Sequence, residues 1–227
     1  NLMKSLFFFI GLIGLFTLNA QNASLQGYVN RLNAVADYKA DVNVKASIPS
    51  ISIPVTNAKV YFKKPTKFKV VSNSIVILPK QGMSDLNAFF TNPKKYTQVP
   101  GEIKMLNGVR TQLITLLPSE ESSEIILAKL YVGTAEPLLY KAIITTKSSG
   151  NFTIDYAYTD AKKFALPSRM VFTIDVKKFK MPKSVASNIR STGPTKPVNQ
   201  DQKGTITITF SNYLINKGIS DSFFTKN

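Results

Sequence analysis

The stretch 57–70 alternates apolar and polar residues on both sides of a proline, and this pattern constrains the fold more than any other feature of the chain. Ala58, Val60 and Phe62 fall on one face, and polar or long side chains separate them. A period of two is typical of a half-buried β-strand. Pro65 cannot donate a ladder hydrogen bond, so we expect it at a tight corner. The stretch therefore predicts two antiparallel strands joined by that corner.

The same alternation recurs along most of the chain. It predicts strands at 42–48, 58–62, 68–71, 74–78, 103–105, 109–117, 125–132, 138–146, 152–158, 170–176 and 206–210. Strands at hairpin spacing, with uniformly apolar inner faces, indicate one large antiparallel sheet. Because two short helices cannot cover such a face, we expect the sheet to curl around an interior. The predicted fold is mainly β with α: a curved antiparallel half-barrel around an apolar cavity, covered by short helices.

Two helices are expected. Residues 24–36 carry apolar side chains at helical spacing, and 85–90 form a short helix within the polar stretch 79–101. That short helix contains two adjacent aromatic residues, Phe89 and Phe90. Two interpretations are open, since these rings either pack onto the core or close the mouth of a cavity as a lid.

The beginning of the chain has the features of an export signal. Residues 1–20 combine one lysine with an apolar run, which is typical of a signal peptide cleaved after Ala20, with Ala23 as a second possible site. An uncleaved membrane anchor is the alternative. We expect 21–227 to form one exported, monomeric domain. Two loop inserts are expected within it, at 79–101 and 182–203.

The composition excludes several classes of function. The chain has no cysteine and no histidine, and it has only 13 acidic residues. It therefore lacks disulfides, thiolate metal sites, thiol nucleophiles and the commonest general base. We predict no catalytic residue, no metal site and no cofactor, and conclude that the protein is not an enzyme.

The net charge is strongly positive. The formal value is +16, and many lysines fall on the polar side of predicted strands, as Lys59, Lys63, Lys67 and Lys69 do. One interpretation is a solvated face that aids solubility, and the other is attraction to anionic lipid headgroups. We do not expect nucleic acid as a partner of an exported protein.

Four segments resemble one protein family. The Lys63-Lys64-Pro65 corner is similar to the strand–(Lys-Arg-Pro)–strand signature of the LolA/LolB-like periplasmic lipoprotein carriers. Segments 130–139, 156–170 and 208–224 resemble later hairpins and the C-terminal segment of that family in order and spacing. The resemblance implies a periplasmic carrier whose cavity holds lipids or lipoprotein acyl chains. It also implies contact with a membrane surface or with envelope transport proteins.

The corner differs from the family at one position. The resemblance implies that the residue before the corner proline latches a helical lid by hydrogen bonds to backbone carbonyls, and in the family this residue is arginine. Here it is Lys64, whose single ammonium group cannot reproduce the forked contact of a guanidinium. Lys64 is therefore either a weaker latch or a solvated corner residue.

The inward-facing apolar residues are the candidate ligand contacts, although residues of this kind more often belong to an ordinary core than to a ligand site. The candidate wall residues are Val44, Val60, Phe62, Phe68, Val70, Leu127, Phe152, Ile154, Tyr156, Phe172 and Ile208. Phe89, Phe90 and Lys64 are the candidate lid residues. The alternative function is a non-enzymatic envelope sensor or scaffold with a packed interior, because filled and hollow sheets show the same alternation.

Overall fold

The structure is a computed structural model that describes residues 23–49, 53–73, 90, 92–147, 150–175 and 203–225. The predicted leader 1–20, the predicted strand 74–78 and Phe89 lie outside the described residues. The same holds for the insert 182–203 up to its final residue, Lys203.

Within the described residues, ten strands form a single sheet in which every pairing is antiparallel. The strands are β1 (Asp37–Ser47), β2 (Thr56–Lys63), β3 (Lys67–Val71), β4 (Tyr96–Leu106), β5 (Val109–Pro118), β6 (Ile125–Gly133), β7 (Leu139–Thr146), β8 (Gly150–Ala157), β9 (Arg169–Asp175) and β10 (Lys203–Ile215). Their order across the sheet is β3-β2-β1-β10-β9-β8-β7-β6-β5-β4.

The sheet is open, because its edge strands β3 and β4 do not pair with each other. Helix α1 (Ala23–Asn33) precedes the sheet, and a short helix α2 (Ser222–Thr225) follows it. Single 3₁₀ turns lie at Pro93–Lys95 and Lys162–Phe164. The predicted fold class, a mainly β protein with one open antiparallel sheet and short helices, is confirmed. None of the described helices has the length and hydrophobicity needed for a membrane span.

The corner that first indicated the fold is present. Phe62 lies opposite Phe68, and Val60 lies opposite Val70, across the β2–β3 pair. These four side chains share one face, which we call the inner face because helix α1 packs against it. The predicted hairpin at Asn107-Gly108 is also present, and both residues have the positive φ that a tight primed turn requires.

Two predicted boundaries were wrong. Strand β4 begins at Tyr96 rather than at residue 103, so the predicted insert 79–101 ends within a strand. Almost all of β4 is exposed, and Pro100 lies at an irregularity in its pairing with β5. An exposed edge strand buries neither face, so its sequence need not alternate, and a proline is tolerated in it. The sequence therefore carries no sign that β4 begins at Tyr96. Helix α1 ends at Asn33 rather than at residue 36.

The core occupies the inner face. Helix α1 buries Leu25, Tyr28, Val29 and Leu32, and the sheet contributes alternate residues of nearly every strand. The opposite, outer face carries polar cross-strand pairs such as Asn43 with Asn57, whose side chains are 2.8 Å apart. This one-sided burial is the physical reason for the period of two in the sequence.

The segment after β10 folds back over the outer face, and we call residues 216–225 the C-terminal strap. The carboxylate of Asp221 lies 2.7 Å from Lys63 Nζ and 3.0 Å from Lys67 Nζ. The ring of Phe223 lies 4.4 Å from that of Tyr61, measured between centroids. Lys69 Nζ lies 5.1 Å above the Phe223 ring. The strap therefore covers the outer side of the β2–β3 hairpin.

The attachment of the C-terminal strap should depend on pH. Hydrogen bonds from Lys63, and then from Lys67, hold the pKa of Asp221 below its ordinary value of 3.8. A lowered folded-state pKa stabilises the attached form above pH 3.8, and this stabilisation is lost as the pH falls through the folded-state value. We expect the ring protons of Phe223, followed by NMR during acid titration, to move towards free-chain shifts below about pH 3.8. Asp221→Asn should show this change at neutral pH, whereas Asp160→Asn should not. Attachment that persists in Asp221→Asn would contradict the prediction.

Candidate functional site

Ten of the eleven predicted wall residues lie on the inner face, and they divide into two groups by exposure. Five are buried: Val44, Val60, Ile154, Phe172 and Ile208. Five are half-buried: Phe62, Phe68, Val70, Phe152 and Tyr156. Only the second group has side-chain surface that a ligand could reach without displacing the core.

The half-buried residues lie at two places. Phe62, Phe68 and Val70 are neighbours on the β2–β3 hairpin, next to the corner. Phe152 and Tyr156 lie on β8, on either side of the fully buried Ile154. The inner face therefore combines a packed centre with accessible apolar surface on an edge hairpin and on a central strand.

Leu127 was predicted wrongly, because it lies on the outer face. Its neighbours Ala128 and Leu130 are both fully buried on the inner face, so the alternation along β6 directs Leu127 away from the core. An irregularity in the β6–β7 pairing lies between Ile125 and Leu127. In the sequence, residues 125–128 are continuously apolar, so they carry no alternation from which the face could be assigned.

Helix α1 lies against the turn between β6 and β7. A Cβ atom at Gly27 would lie 2.9 Å from the ring of Pro137, so glycine is needed for this close approach. Arg31 Nη1 lies 3.2 Å from Glu136 Oε1 and also donates to the Lys162 carbonyl at 3.2 Å. These helix-fixing residues are not predictable from the sequence, because nothing in the local pattern indicates a partner so distant in the chain.

Lys64 binds the end of helix α1. Its Nζ donates to the backbone carbonyl of Asn33, the last residue of the helix. The backbone N–H of Lys64 donates to the carbonyl of Ala36 at 2.9 Å. The final carbonyls of a helix lack partners within the helix, and a cation at this end also complements the helix dipole. Of the two interpretations of Lys64, this contact favours the latch.

Asn216 binds the same part of the chain from the other side. Its side-chain oxygen accepts from the N–H of Ala36 at 2.7 Å, and its amide nitrogen donates to the carbonyl of Ala34 at 2.9 Å. The C-terminal strap and the β2–β3 corner therefore both bind the segment that ends α1. Asn216 was not among the predicted site residues, although an asparagine before Lys-Gly is a turn signal.

Removing the donor of Lys64 should loosen helix α1. We expect Lys64→Met, which keeps the length of the side chain, to reduce the docking free energy of α1 by about 0.5–1.5 kcal/mol, the usual net value of one hydrogen bond. Amide exchange over residues 25–33, measured by mass spectrometry, should become faster, whereas Lys64→Arg should keep it slow. The control is Lys45→Met, which changes an exposed lysine on β1. Equal exchange in Lys64→Met and the unmodified protein would show that Lys64 is only a corner residue.

Of the two predicted lid aromatics, only Phe90 is described. It is 1% exposed and belongs to the hydrophobic core, and its carbonyl accepts from the hydroxyl of Tyr96 at 2.9 Å. Phe90 is thus packed onto the core in this structure, a position that suits an ordinary core residue and a closed lid equally.

Several tyrosines lie on the inner side of the sheet. The hydroxyl of Tyr158 donates to the Leu139 carbonyl at 2.8 Å, and that of Tyr213 donates to the Pro167 carbonyl at 2.8 Å. Among the described residues, the hydroxyls of Tyr28, Tyr38 and Tyr156 have no hydrogen-bond partner. Burial raises the pKa of all five side chains above the ordinary tyrosine value, so they remain protonated donors at neutral pH.

The lysines that suggested a basic face are largely engaged within the protein. Lys59 Nζ lies 2.5 Å from Asp41, and Lys63 and Lys67 bind Asp221 as described above. These ion pairs reduce the free positive charge over β1, β2 and β3.

No group of three or more potential metal ligands occurs among the described residues.

Comparisons with known proteins connect this architecture to solved structures. No family model and no curated protein matches the sequence. A LolA superfamily protein from Nitrosomonas europaea is similar in structure, with a TM-score of 0.59 and 12% identity, over 89% of this chain and 97% of the other. A DUF1329 family protein from Desulfovibrio piger gives a TM-score of 0.57 and 10% identity, over 89% and 95% of the two chains.

A third similar structure is an outer membrane lipoprotein-sorting protein domain from Vibrio parahaemolyticus. Its TM-score is 0.53 at 10% identity, and the match covers 88% of this chain and 95% of the other. At such identities the likeness shows the fold alone. The open sheet of this chain has a fold similar to that of the LolA superfamily protein, and the resemblance noted in the sequence is confirmed at the level of the fold.

Proposed function

We propose that this protein is a periplasmic carrier that binds lipids, or the acyl chains of lipoproteins, on the inner face of its sheet and transfers them towards the outer membrane. The observation that carries the proposal is the half-buried apolar surface of the inner face, on Phe62, Phe68, Val70, Phe152 and Tyr156. Soluble proteins bind apolar ligands on concave apolar surfaces of this kind. The LolA superfamily fold and the lipoprotein-sorting domain of similar structure support the same function.

The proposed carrier performs no chemistry. Binding requires only apolar contact and the release of ordered water, for which no nucleophile, metal or cofactor is needed. A sequence without cysteine or histidine suits this role. The half-buried residues make the first contacts with the ligand, and buried residues such as Val60 and Phe172 join the wall when α1 and its latch move away.

The lid of the proposed carrier comprises helix α1, Lys64 and the 89–90 aromatic pair. Lys64 fixes the end of α1, and Phe90 packs onto the core in the closed form. A ligand must displace these contacts, which lowers its apparent affinity and keeps the empty protein compact. In this proposal Phe89 acts together with Phe90.

The location and oligomeric state of the proposed carrier are those expected from the sequence. Cleavage after Ala20 would release a monomeric domain, 21–227, into the periplasm. The full chain has a net charge of +16, and loss of Lys4 with residues 1–20 would leave +15, which would favour approach to anionic membrane surfaces. The intact mass of protein recovered from the periplasm would report both the cleavage site and the oligomeric state.

Native mass spectrometry of that protein tests the proposal. We expect a fraction of the molecules to carry a lipid or lipopeptide, and added lipid or lipopeptide to increase that fraction. Phe68→Gln should reduce loading. Leu127→Gln should leave loading unchanged, because Leu127 is equally half-buried but lies on the outer face. Protein that is reproducibly free of ligand and takes up neither lipid nor lipopeptide would overturn the proposal.

A second candidate function is a non-enzymatic envelope sensor or scaffold with a packed interior. The observation that favours it is the complete burial of Val60, Ile154, Phe172 and Ile208. An apolar dye whose fluorescence rises on burial separates the two functions. Saturable binding at one site on the folded domain favours the carrier, and the absence of such binding favours the packed module.

A further inference from the structure

Tyr28 and Tyr156 each place a hydroxyl group in the largely apolar interior. Tyr28 is 3% exposed on the covered side of α1, and Tyr156 is half-buried on the inner side of β8. Among the described residues, neither hydroxyl has a hydrogen-bond partner. Other enclosed tyrosines, such as Tyr158 and Tyr213, do donate to backbone carbonyls. Because buried polar groups are nearly always satisfied, these two exceptions need an explanation.

The two hydroxyls lie in one region of the interior. Gly27, adjacent to Tyr28, packs on Pro137, and Tyr158 donates to Leu139 two residues further along the chain. Tyr28 is buried in the core and Tyr156 packs against the same core from the inner side of β8, two residues before Tyr158, so both tyrosines belong to the region beneath α1. The hydroxyl of Tyr38 also has no partner among the described residues, but Tyr38 lies elsewhere, on β1, where its ring stacks on Phe62 and packs edge-on against Tyr213.

The chemistry of the region limits the acceptor that could bind there. Protonated tyrosines are donors, so the ligand must supply an acceptor oxygen. The nearest cation on α1, Arg31, is already paired with Glu136 and bound to the Lys162 carbonyl. A carboxylate or phosphate would lose its hydration without gaining a cation, which is costly in an apolar interior. A neutral carbonyl oxygen has no such penalty.

We propose that Tyr28 and Tyr156 donate hydrogen bonds to the ester or amide carbonyl that joins an acyl chain to its headgroup. This inference rests on the proposed carrier function and adds to it a selectivity for acyl compounds over hydrocarbons and alkyl ethers. The carbonyl fixes how deeply the chain enters, because it lies at the boundary between the apolar tail and the polar headgroup. The tyrosines thus limit how deeply the acyl chain lies in the interior once α1 has closed over the bound ligand again.

Two ligands that differ only in the carbonyl group test the proposal. The folded protein is loaded with a fluorescent apolar dye, N-phenyl-1-naphthylamine, which is then displaced by dioctanoylglycerol or by the corresponding dioctyl ether. We expect the unmodified protein to prefer the ester about fivefold to tenfold, as one or two hydrogen bonds would give. The double variant Tyr28→Phe/Tyr156→Phe should bind the ether as before and lose the preference. Tyr61→Phe, which changes a tyrosine of the outer face, should keep it.

Thermal unfolding of the same variants provides a second readout. Because the Tyr28 hydroxyl has no partner among the described residues, Tyr28→Phe should be at least as stable as the unmodified protein. Tyr158→Phe should be less stable, because it loses the hydrogen bond to Leu139. Equal affinity for ester and ether, or a preference that survives in the double variant, would overturn the inference and leave the carrier function intact. A dye that does not bind the unmodified protein would overturn both.

Discussion

Replacing Phe172 with alanine should lower the free energy of unfolding by about 3–5 kcal/mol, the range typical of a phenylalanine removed from a packed core. Phe172 is completely buried on β9, between Ile154 of β8 and Ile206 of β10, which are themselves completely buried. Removing the ring leaves a cavity that these neighbours cannot fill without distorting the sheet. Urea denaturation followed by circular dichroism measures the change.

The matched control is Phe68→Ala, which removes the same side chain from a half-buried position on β3. Phe68→Ala should lower the free energy of unfolding clearly less than Phe172→Ala does. It should weaken the binding of an apolar dye clearly more. A nearly neutral Phe172→Ala would mean that the ring borders open space. In that case the buried half of the predicted wall would already be accessible to ligand in the closed protein.

The second large effect concerns Phe90. Because this side chain is 1% exposed, Phe90→Ala should destabilise the fold by about 3 kcal/mol. If the 89–90 pair closes the cavity, the same variant should also take up an apolar dye faster, because the ligand no longer has to displace the ring. Stopped-flow fluorescence of dye binding, performed on protein that equilibrium measurements show to be folded, gives the rate.

Tyr96→Phe is the control for this experiment. It removes the hydroxyl that binds the Phe90 carbonyl but keeps both rings, so it should cost only about 1 kcal/mol and change uptake little. A Phe90→Ala variant that loses stability without any change in uptake rate would identify Phe90 as plain core. The lid would then consist of α1 and Lys64 alone.

The sequence predicted most strands because burial on one face imposes a period of two. Where a strand is not buried on one face only, the alternation is absent and the prediction was wrong. The edge strand β4 is exposed on nearly all its residues, and its start was missed. At Leu127 a continuous apolar run left the face undetermined, and only the pairing register assigned it.

The candidate site was predictable in part. The inward direction of ten wall residues followed from alternation, but their division into buried and half-buried groups did not, because it depends on what packs over each strand. The resemblance indicated Lys64, whereas its partner Asn33 emerged only from the structure. Tyr28 lies within the helix predicted at 24–36, but a sequence cannot reveal whether a buried hydroxyl has a partner.

The pairing of β1 with β10 has a consequence for how the chain folds. It places Asp41 opposite Ser211 and Val44 opposite Ile208, and it joins the first three strands to the other seven. Contacts between such distant parts of a chain form slowly, because the long intervening loop must first be closed. Strands β1, β2 and β3 cannot take their place in the sheet until β10 has been synthesised. The ten-stranded sheet should therefore be completed only after synthesis has reached β10, with the pairings among β4 to β9 formed before β1, β2 and β3 join them.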